Sequence, residues 1–188
     1  STRLKTGNLY KNDWFELNTV IQKLSTLPLF IDDTPNPSIQ DIKSKIKKII
    51  FEQTQLGLIV IDYLQLMQNS KFSLLNRTQE LSQITRSLKN LAREFQVPII
   101  ALSQLSRNVE SRTNKRPILS DLRESGSIEQ DADLVLMLYR ESYYSSQNTL
   151  ISQDQNTFVE LIIAKQRNGP IGTVKLEFDA KRTKFLNQ

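Results

Sequence analysis

Gly57-Leu58-Ile59-Val60-Ile61-Asp62-Tyr63-Leu64-Gln65 is a short apolar run that ends in one carboxylate. A strand buried on both faces of a parallel sheet reads as continuous Val, Ile and Leu rather than as alternation. The run therefore predicts an inner strand of an α/β sheet. A charge at its C-terminal end falls in the crevice beyond the strand ends, where open α/β sheets bind ligands. Asp62 is accordingly the first candidate site residue.

Working outward, Val97-Pro98-Ile99-Ile100-Ala101-Leu102 reads as a second buried strand and Leu134–Tyr139 as a third. Pro98 is tolerable because an early strand position can forgo its N–H. Between the first two strands, Leu81, Ile84, Leu88, Leu91 and Phe95 recur every 3 or 4 residues and predict an amphipathic helix. Upstream, Trp14, Leu17, Val20, Ile21 and Leu24 predict a helix over 12–26 capped at Asn12 or Asp13. Leu27–Ile31 reads as a short strand. Ser38 with Asp41 three residues on has the form of a capping box, opening a helix with Ile39, Ile42, Ile46 and Ile49 on one face. Residues 67–76 read as a loop, 103–127 as a polar stretch with Arg107, Arg112, Lys115, Arg116 and Arg123, and 141–157 as a mobile Ser/Gln/Asn-rich loop. Phe158–Lys165 and Thr173–Phe178 predict two strands joined by Gln166–Gly172 as a hairpin. The expected fold is one α/β domain over 1–188, mainly parallel with helices on both faces and a C-terminal antiparallel hairpin.

Composition narrows the chemistry. The 188 residues contain no Cys and no His, which excludes disulfides, thiolate nucleophiles, Ser-His-Asp triads and His-ligated metals within them. Metal chemistry would fall to carboxylates and hydroxyls, which favours Mg²⁺. A net charge of +5 suits a polyanionic partner, although such an excess is common in ordinary proteins. No apolar run approaches the ~20 residues of a membrane helix. The first residue is Ser rather than Met, as expected of a piece of a longer chain. Abundant Ile, Asn, Lys and Ser with only 5 Gly is the signature of AT-rich coding, and points to a bacterial cytoplasm or a plastid stroma.

Four groups of residues carry candidate chemistry, each with a plainer alternative. Asp62 is placed like the aspartate that holds Mg²⁺ on a bound nucleotide in P-loop NTPases; a strand-terminal Asp also serves as an ordinary cap or turn former. Tyr63 stands where many ATPases have a glutamate base. No G-x-x-x-x-G-K-[ST] phosphate cradle occurs in residues 1–188, so nucleotide binding by this stretch alone should be poor. Ser103-Gln104 would reach the same crevice if the two strands are neighbours; alone it reads as polar loop. Ser120–Asp133 is charge-dense, which is usually a solvated surface. Yet Arg123, Ser125 and Gly126 offer a guanidinium and backbone N–H groups to a phosphate, without nearby aromatic residues to stack bases. Lys165 and Arg167 lie two apart on one side of a hairpin tip, either as a solvating turn or as an arginine finger.

Taken together these segments resemble the C-terminal motor domain of replicative DNA helicases of the DnaB family, a RecA-like P-loop NTPase fold. Lys5-Thr6-Gly7 with Asp13-Trp14, Ile59–Met67 (Walker B), Val97–Leu105, Asp121–Asp133 and Lys165–Pro170 resemble five family segments in order. The resemblance implies ATP and Mg²⁺, with Asp62 holding the ion through water. It implies that Gln104 senses the γ-phosphate. Arg123, Glu124 and the Gly126 backbone would grip phosphates of single-stranded DNA, and Lys165 and Arg167 would act in trans on the neighbouring subunit of a homo-hexamer. It further implies a phosphate cradle, a glutamate base and a primase-engaging collar upstream of Ser1, with primase and a helicase loader as partners mostly outside these residues. No membrane partner is expected. The alternatives are a non-catalytic single-stranded-DNA-binding or ring-assembly module, and another RecA-like ATPase such as a recombinase or clock-type ATPase.

Overall fold

The computed structural model describes residues 6–52, 55–67, 77–145, 157–180 and 182–186, and leaves the side chains of 123–127, 145 and 157 outside that description. Helix α1 spans Lys11–Ser25 and α2 Ile39–Glu52. Strand β1 (Ile59–Ile61) leads through a 3-10 turn, Leu64–Leu66, towards α3 (Arg77–Phe95) and β2 (Ile99–Ala101). The short helix α4 (Asn108–Ser111), a 3-10 segment Leu119–Ser125 and α5 (Gly126–Asp131) precede β3 (Leu134–Tyr139). A helical turn α6 (Glu141–Ser145) follows, then β4 (Thr157–Gln166), β5 (Gly172–Asp179) and β6 (Lys184–Leu186).

The local signals act as expected in α2 and α3. Ser38 N donates to Asp41 Oδ2 at 2.9 Å and Asp41 N donates to Ser38 Oγ at 3.2 Å, so the capping box forms at the start of α2. Leu81, Ile84, Leu88 and Leu91 line the buried stripe of α3 and meet Ile61, Leu64, Met67, Leu122, Ile128, Val135 and Met137 in one core. Ile39 and Ile42 of α2 pack against its edge.

Strands β1 and β2 pair in parallel, Ile61 opposite Ala101, as expected for a βαβ unit with α3 as its crossover. Strands β3-β4-β5-β6 form an antiparallel sheet in that order. The expected hairpin is β4–β5, and the antiparallel part is larger than foreseen because β3 and β6 join it on either side. Membrane-spanning length is absent: no helix among the described residues is long and apolar enough to cross a bilayer.

Several expectations need correction. Leu27–Ile31 is exposed and unpaired in the described structure rather than a strand. An apolar run becomes a strand only when a neighbour satisfies its backbone, and none lies beside it among the described residues. Helix α1 begins at Lys11 behind Tyr10, not at Asn12 or Asp13; Asp13 Oδ2 accepts from Tyr10 N at 3.0 Å. It buries no residue. Strand β1, expected to be buried on both faces, leaves Val60 59% exposed, and β3 is likewise covered on one face only: Val135 and Met137 face the core, while Leu136 and Leu138 are 49% and 58% exposed. Residues 141–145 of the expected mobile loop are α6, whereas 146–156 and most of the loop 67–76 lie outside the described residues.

Candidate functional site

Asp62 and Gln104 lie at one C-terminal edge because β1 and β2 are direct neighbours. Leu102 N donates to Ile61 O and Leu64 N donates to Leu102 O, each at 2.9 Å, carrying the pairing past the last ladder residues. Both candidate side chains are exposed at this common C-terminal edge. Gln65 ties the two strand ends together. Its Nε2 donates to Ser103 Oγ at 3.1 Å and to Gln104 O at 3.3 Å, and its Oε1 accepts from Gln104 N at 3.3 Å. Arg77 Nη2 in turn donates to Gln65 O at 2.6 Å. The Asp62–Tyr63 peptide is cis. Sequence reasoning missed Gln65: a pairing of amides 39 residues apart leaves no spacing signal.

Asp62 offers one solvent-facing carboxylate, and no cluster of three His, Cys, Asp or Glu able to hold a metal exists among the described residues. That donor set fits Mg²⁺, which keeps several waters and binds through one or two carboxylates plus substrate phosphates.

The second candidate group lies on the 3-10 segment and α5. The backbone of Arg123, Glu124 and Gly126 sits at their junction; what the Arg123 and Glu124 side chains contact lies outside the described structure. The segment is fixed from below by Asp121, which is 6% exposed. Its Oδ2 accepts from Arg112 Nη2 at 2.6 Å and from Ile118 N at 2.8 Å. Asp121 O accepts from Ser106 N at 2.9 Å. Ser106 follows Gln104 by two residues and Asp121 precedes Arg123 by two, so one backbone bond joins the two candidate groups. Not every base of the 103–127 stretch is offered to solvent. Arg112 pairs with Asp121, and Arg116 pairs with Glu160 at 2.8 Å and donates to Thr173 Oγ1 at 2.9 Å.

Lys165 and Arg167 point to the same side, as their spacing predicts, and both are engaged by backbone carbonyls, Lys165 half-buried and Arg167 exposed. Lys165 Nζ donates to Glu129 O and, at 3.3 Å, to Gln130 O. Arg167 Nη2 donates to Gln130 O at 2.8 Å. These are carbonyls of the last turn of α5, which find no donor inside the helix and favour cations. Asp133 completes the setting. It pairs with Lys89, its Oδ1 lies 3.6 Å from Arg167 Nε, and its backbone O accepts from Arg167 N at 2.9 Å. The Lys89 hydrogen bond holds the Asp133 carboxyl below the usual carboxylate range, with the charges of Lys89 and Arg167 adding to it.

Sequence reasoning also missed an aromatic cluster at the end of β3. Tyr139 and Tyr144 stack with centroids 6.1 Å apart, and Tyr143 meets Tyr144 edge-on at 5.4 Å. Arg140 lies 5.4 Å from the Phe178 ring and Lys115 5.0 Å from that of Tyr144. Burial raises the Tyr139 pKa, so its phenol stays neutral. Reading 141–157 as featureless loop concealed the signal, which is the spacing of Tyr139, Tyr143 and Tyr144 across the turn from β3 into α6.

Comparison with known proteins gives a consistent picture. Residues 1–187 match the DnaB-like helicase C-terminal domain. A probable replicative DNA helicase of Trieres chinensis is 68% identical over 185 residues, 98% of this chain and 40% of the relative. The replicative DNA helicase DnaB of Geobacillus stearothermophilus is 54% identical over 184 residues, 98% of this chain and 39% of its own. The chain thus spans about two fifths of the length of these relatives. Among solved structures, one described as an ATPase domain superposes with a TM-score of 0.86 at 42% identity, over all of this chain and 65% of that one. A DnaB-like replicative helicase, described with its interactions with primase, superposes at 0.83 with 43% identity, over 96% of this chain and 43% of that one. The fold is therefore that of the RecA-like ATPase domain, and the two-sheet arrangement is its local form here.

Proposed function

The chain belongs to the family of DnaB-like helicase C-terminal domains, and from that premise we propose that the complete protein is an ATP-driven replicative DNA helicase. Residues 1–188 form the C-terminal part of its motor domain, with the phosphate cradle and the glutamate base in further sequence of the same domain. The observation that carries this reading is that Asp62 and Gln104 follow the joined ends of β1 and β2 at one edge of the sheet. The exposed apolar sides of Val60, Ile100, Leu136 and Leu138 support it as well, since a surface of that character calls for a further layer of protein.

In this reading Asp62 holds Mg²⁺ through water, and the ion's contribution is to neutralise charge on the phosphates of ATP. Gln104, held by the Gln65 amide, presents its side chain to the γ-phosphate and distinguishes ATP from ADP by the presence of that group. Lys165 and Arg167 of one subunit contact the ATP of the next, in a homo-hexamer. Their ammonium and guanidinium stabilise charge as it develops on the transferred phosphoryl group. Arg123, Glu124 and the Gly126 backbone contact successive phosphates of single-stranded DNA, which makes binding sequence-independent and salt-sensitive. Primase and a helicase loader dock mostly on parts outside these residues. Composition and the diatom relative support a plastid stroma, or a bacterial cytoplasm, as the setting.

The test is subunit mixing with the complete protein. Arg167→Ala rings lose ATP hydrolysis. Adding Asp62→Asn subunits, whose own site is dead but whose Arg167 is intact, restores part of it. Normal hydrolysis by Arg167→Ala rings refutes the assignment in trans, and an intact wild-type ring that hydrolyses no ATP identifies a non-catalytic assembly module instead.

A further inference from the structure

The DNA loop and the finger hairpin meet on one short helix. Residues 123–126 run from the end of the 3-10 segment into α5, whose last carbonyls, Glu129 O and Gln130 O, are the acceptors for Lys165 and Arg167. The helix between them is only six residues long. Its C-terminal half is tied to α3 and the core: Thr85 Oγ1, from the buried face of α3, donates to Asp131 Oδ2 at 3.0 Å, and Ile128 is buried. What places Arg167 at its end is Asp133. It lies where the chain turns from α5 into β3 and draws Arg167 by charge and by the backbone bond to Arg167 N. Lys89 of α3 fixes its carboxylate from the other side.

We propose that Asp133 is the positioning residue of the finger hairpin, holding Arg167, and through it the hairpin that carries Lys165, on the carboxyl end of α5 so that a shift at residues 123–126 is passed to the fingers. The inference rests on the reading above, in which the loop meets DNA and the fingers meet a neighbour's ATP. Asp133 touches neither. Its effect is on coupling. With Asp133 in place, phosphate engagement at the loop reorients α5 about its anchors on α3 and the core, and its carboxyl end carries Arg167 and the hairpin with it. Without the Asp133 carboxylate the two side chains keep only the uncharged carbonyls of Glu129 and Gln130, and the fingers reach the neighbour regardless of the DNA state. A coupling free energy of the usual size corresponds to a change of about fivefold or more.

The experiment uses the complete ring-forming protein and oligo-dT. Asp133→Asn should lower the ratio of ATP hydrolysis with and without oligo-dT by about fivefold or more, while the DNA-free rate is held or raised. Asp133→Glu, which keeps the charge, should recover much of the ratio. A ratio in Asp133→Asn equal to that of the wild type overturns the proposal. So does a parallel fall in both rates together with a lowered melting temperature that Asp133→Glu does not rescue, since that marks a structural role only. Arg167→Ala is measured alongside. If it hydrolyses ATP normally, the finger reading itself fails. If it is dead while Asp133→Asn behaves as wild type, only the coupling role fails.

Discussion

Lys45 illustrates how single side chains hold the outlying part of this chain. From α2 it donates to Asp32 Oδ2 at 2.5 Å and to Thr34 Oγ1 at 2.6 Å, tethering the exposed 27–34 segment to the body. The Lys45 hydrogen bond, followed by those from Thr34, lowers the Asp32 pKa from 3.8 to about 2. Because the folded value is the lower one, the tether stabilises above the ordinary carboxylate pKa and is lost as pH falls towards about 2. Both groups are solvent-exposed, so screening keeps the contribution small. Lys45→Ala should therefore move the Asp32 midpoint up towards 3.8, with Thr34 retaining part of the depression. An NMR titration of the Asp32 carboxyl carbon reads this directly, and an unmoved midpoint would show that Thr34 alone sets it. Gln65 is the counterpart within the site. One amide donating to one strand end and accepting from the same residue fixes Gln104 without any charge.

At the scale of elements, α3 organises the core. Its stripe of Leu81, Ile84, Leu88 and Leu91 packs on β1, β3, α5 and the 3-10 segment at once. Leu81→Ala removes a fully buried side chain there and should cost about 2–5 kcal/mol in urea unfolding of the complete protein, through lost transfer energy and the cavity left behind. A loss under ~1 kcal/mol would mean that the core collapses onto the gap. This helix and α2 were legible in sequence because their signals are local: a 3.6-residue period and a cap within three residues. The strands were legible as apolar runs but not in their partners. Leu27–Ile31 has the composition of a strand and no neighbour among the described residues, and β3 has the composition of a doubly buried strand with one bare face. Pairing and layering are properties of what lies alongside, which residue type alone does not carry. The site divides in the same way. Asp62 and Gln104 end apolar runs and could be read from them, whereas Lys165 and Arg167 bind backbone carbonyls 35 to 37 residues away, which no side-chain pattern encodes.

At the scale of the whole molecule, charge decides what a polyanion would meet. The 25 Lys and Arg exceed the 20 Asp and Glu by only five, and much of the balance is internal: Lys43 with Glu94, Lys89 with Asp133, Arg112 with Asp121 and Arg116 with Glu160 are ion pairs. A diffuse field of that size steers weakly, and salt screens it over about 10 Å. If the complete protein binds single-stranded DNA as proposed, its affinity comes from a few defined contacts, and the salt dependence counts them. Arg123→Ala in the complete protein should weaken binding to oligo-dT, oligo-dA and mixed sequences by similar factors. The slope of log affinity against log salt should shrink by about 0.7 for each subunit engaged with the strand. Fluorescence anisotropy across a salt series measures both. Weakening confined to particular sequences would show that Arg123 reads bases, and an unchanged slope would show that it meets no phosphate. A slope reduced in step across all sequences instead makes each ring subunit one phosphate contact, the arrangement a motor needs to move along DNA of any sequence.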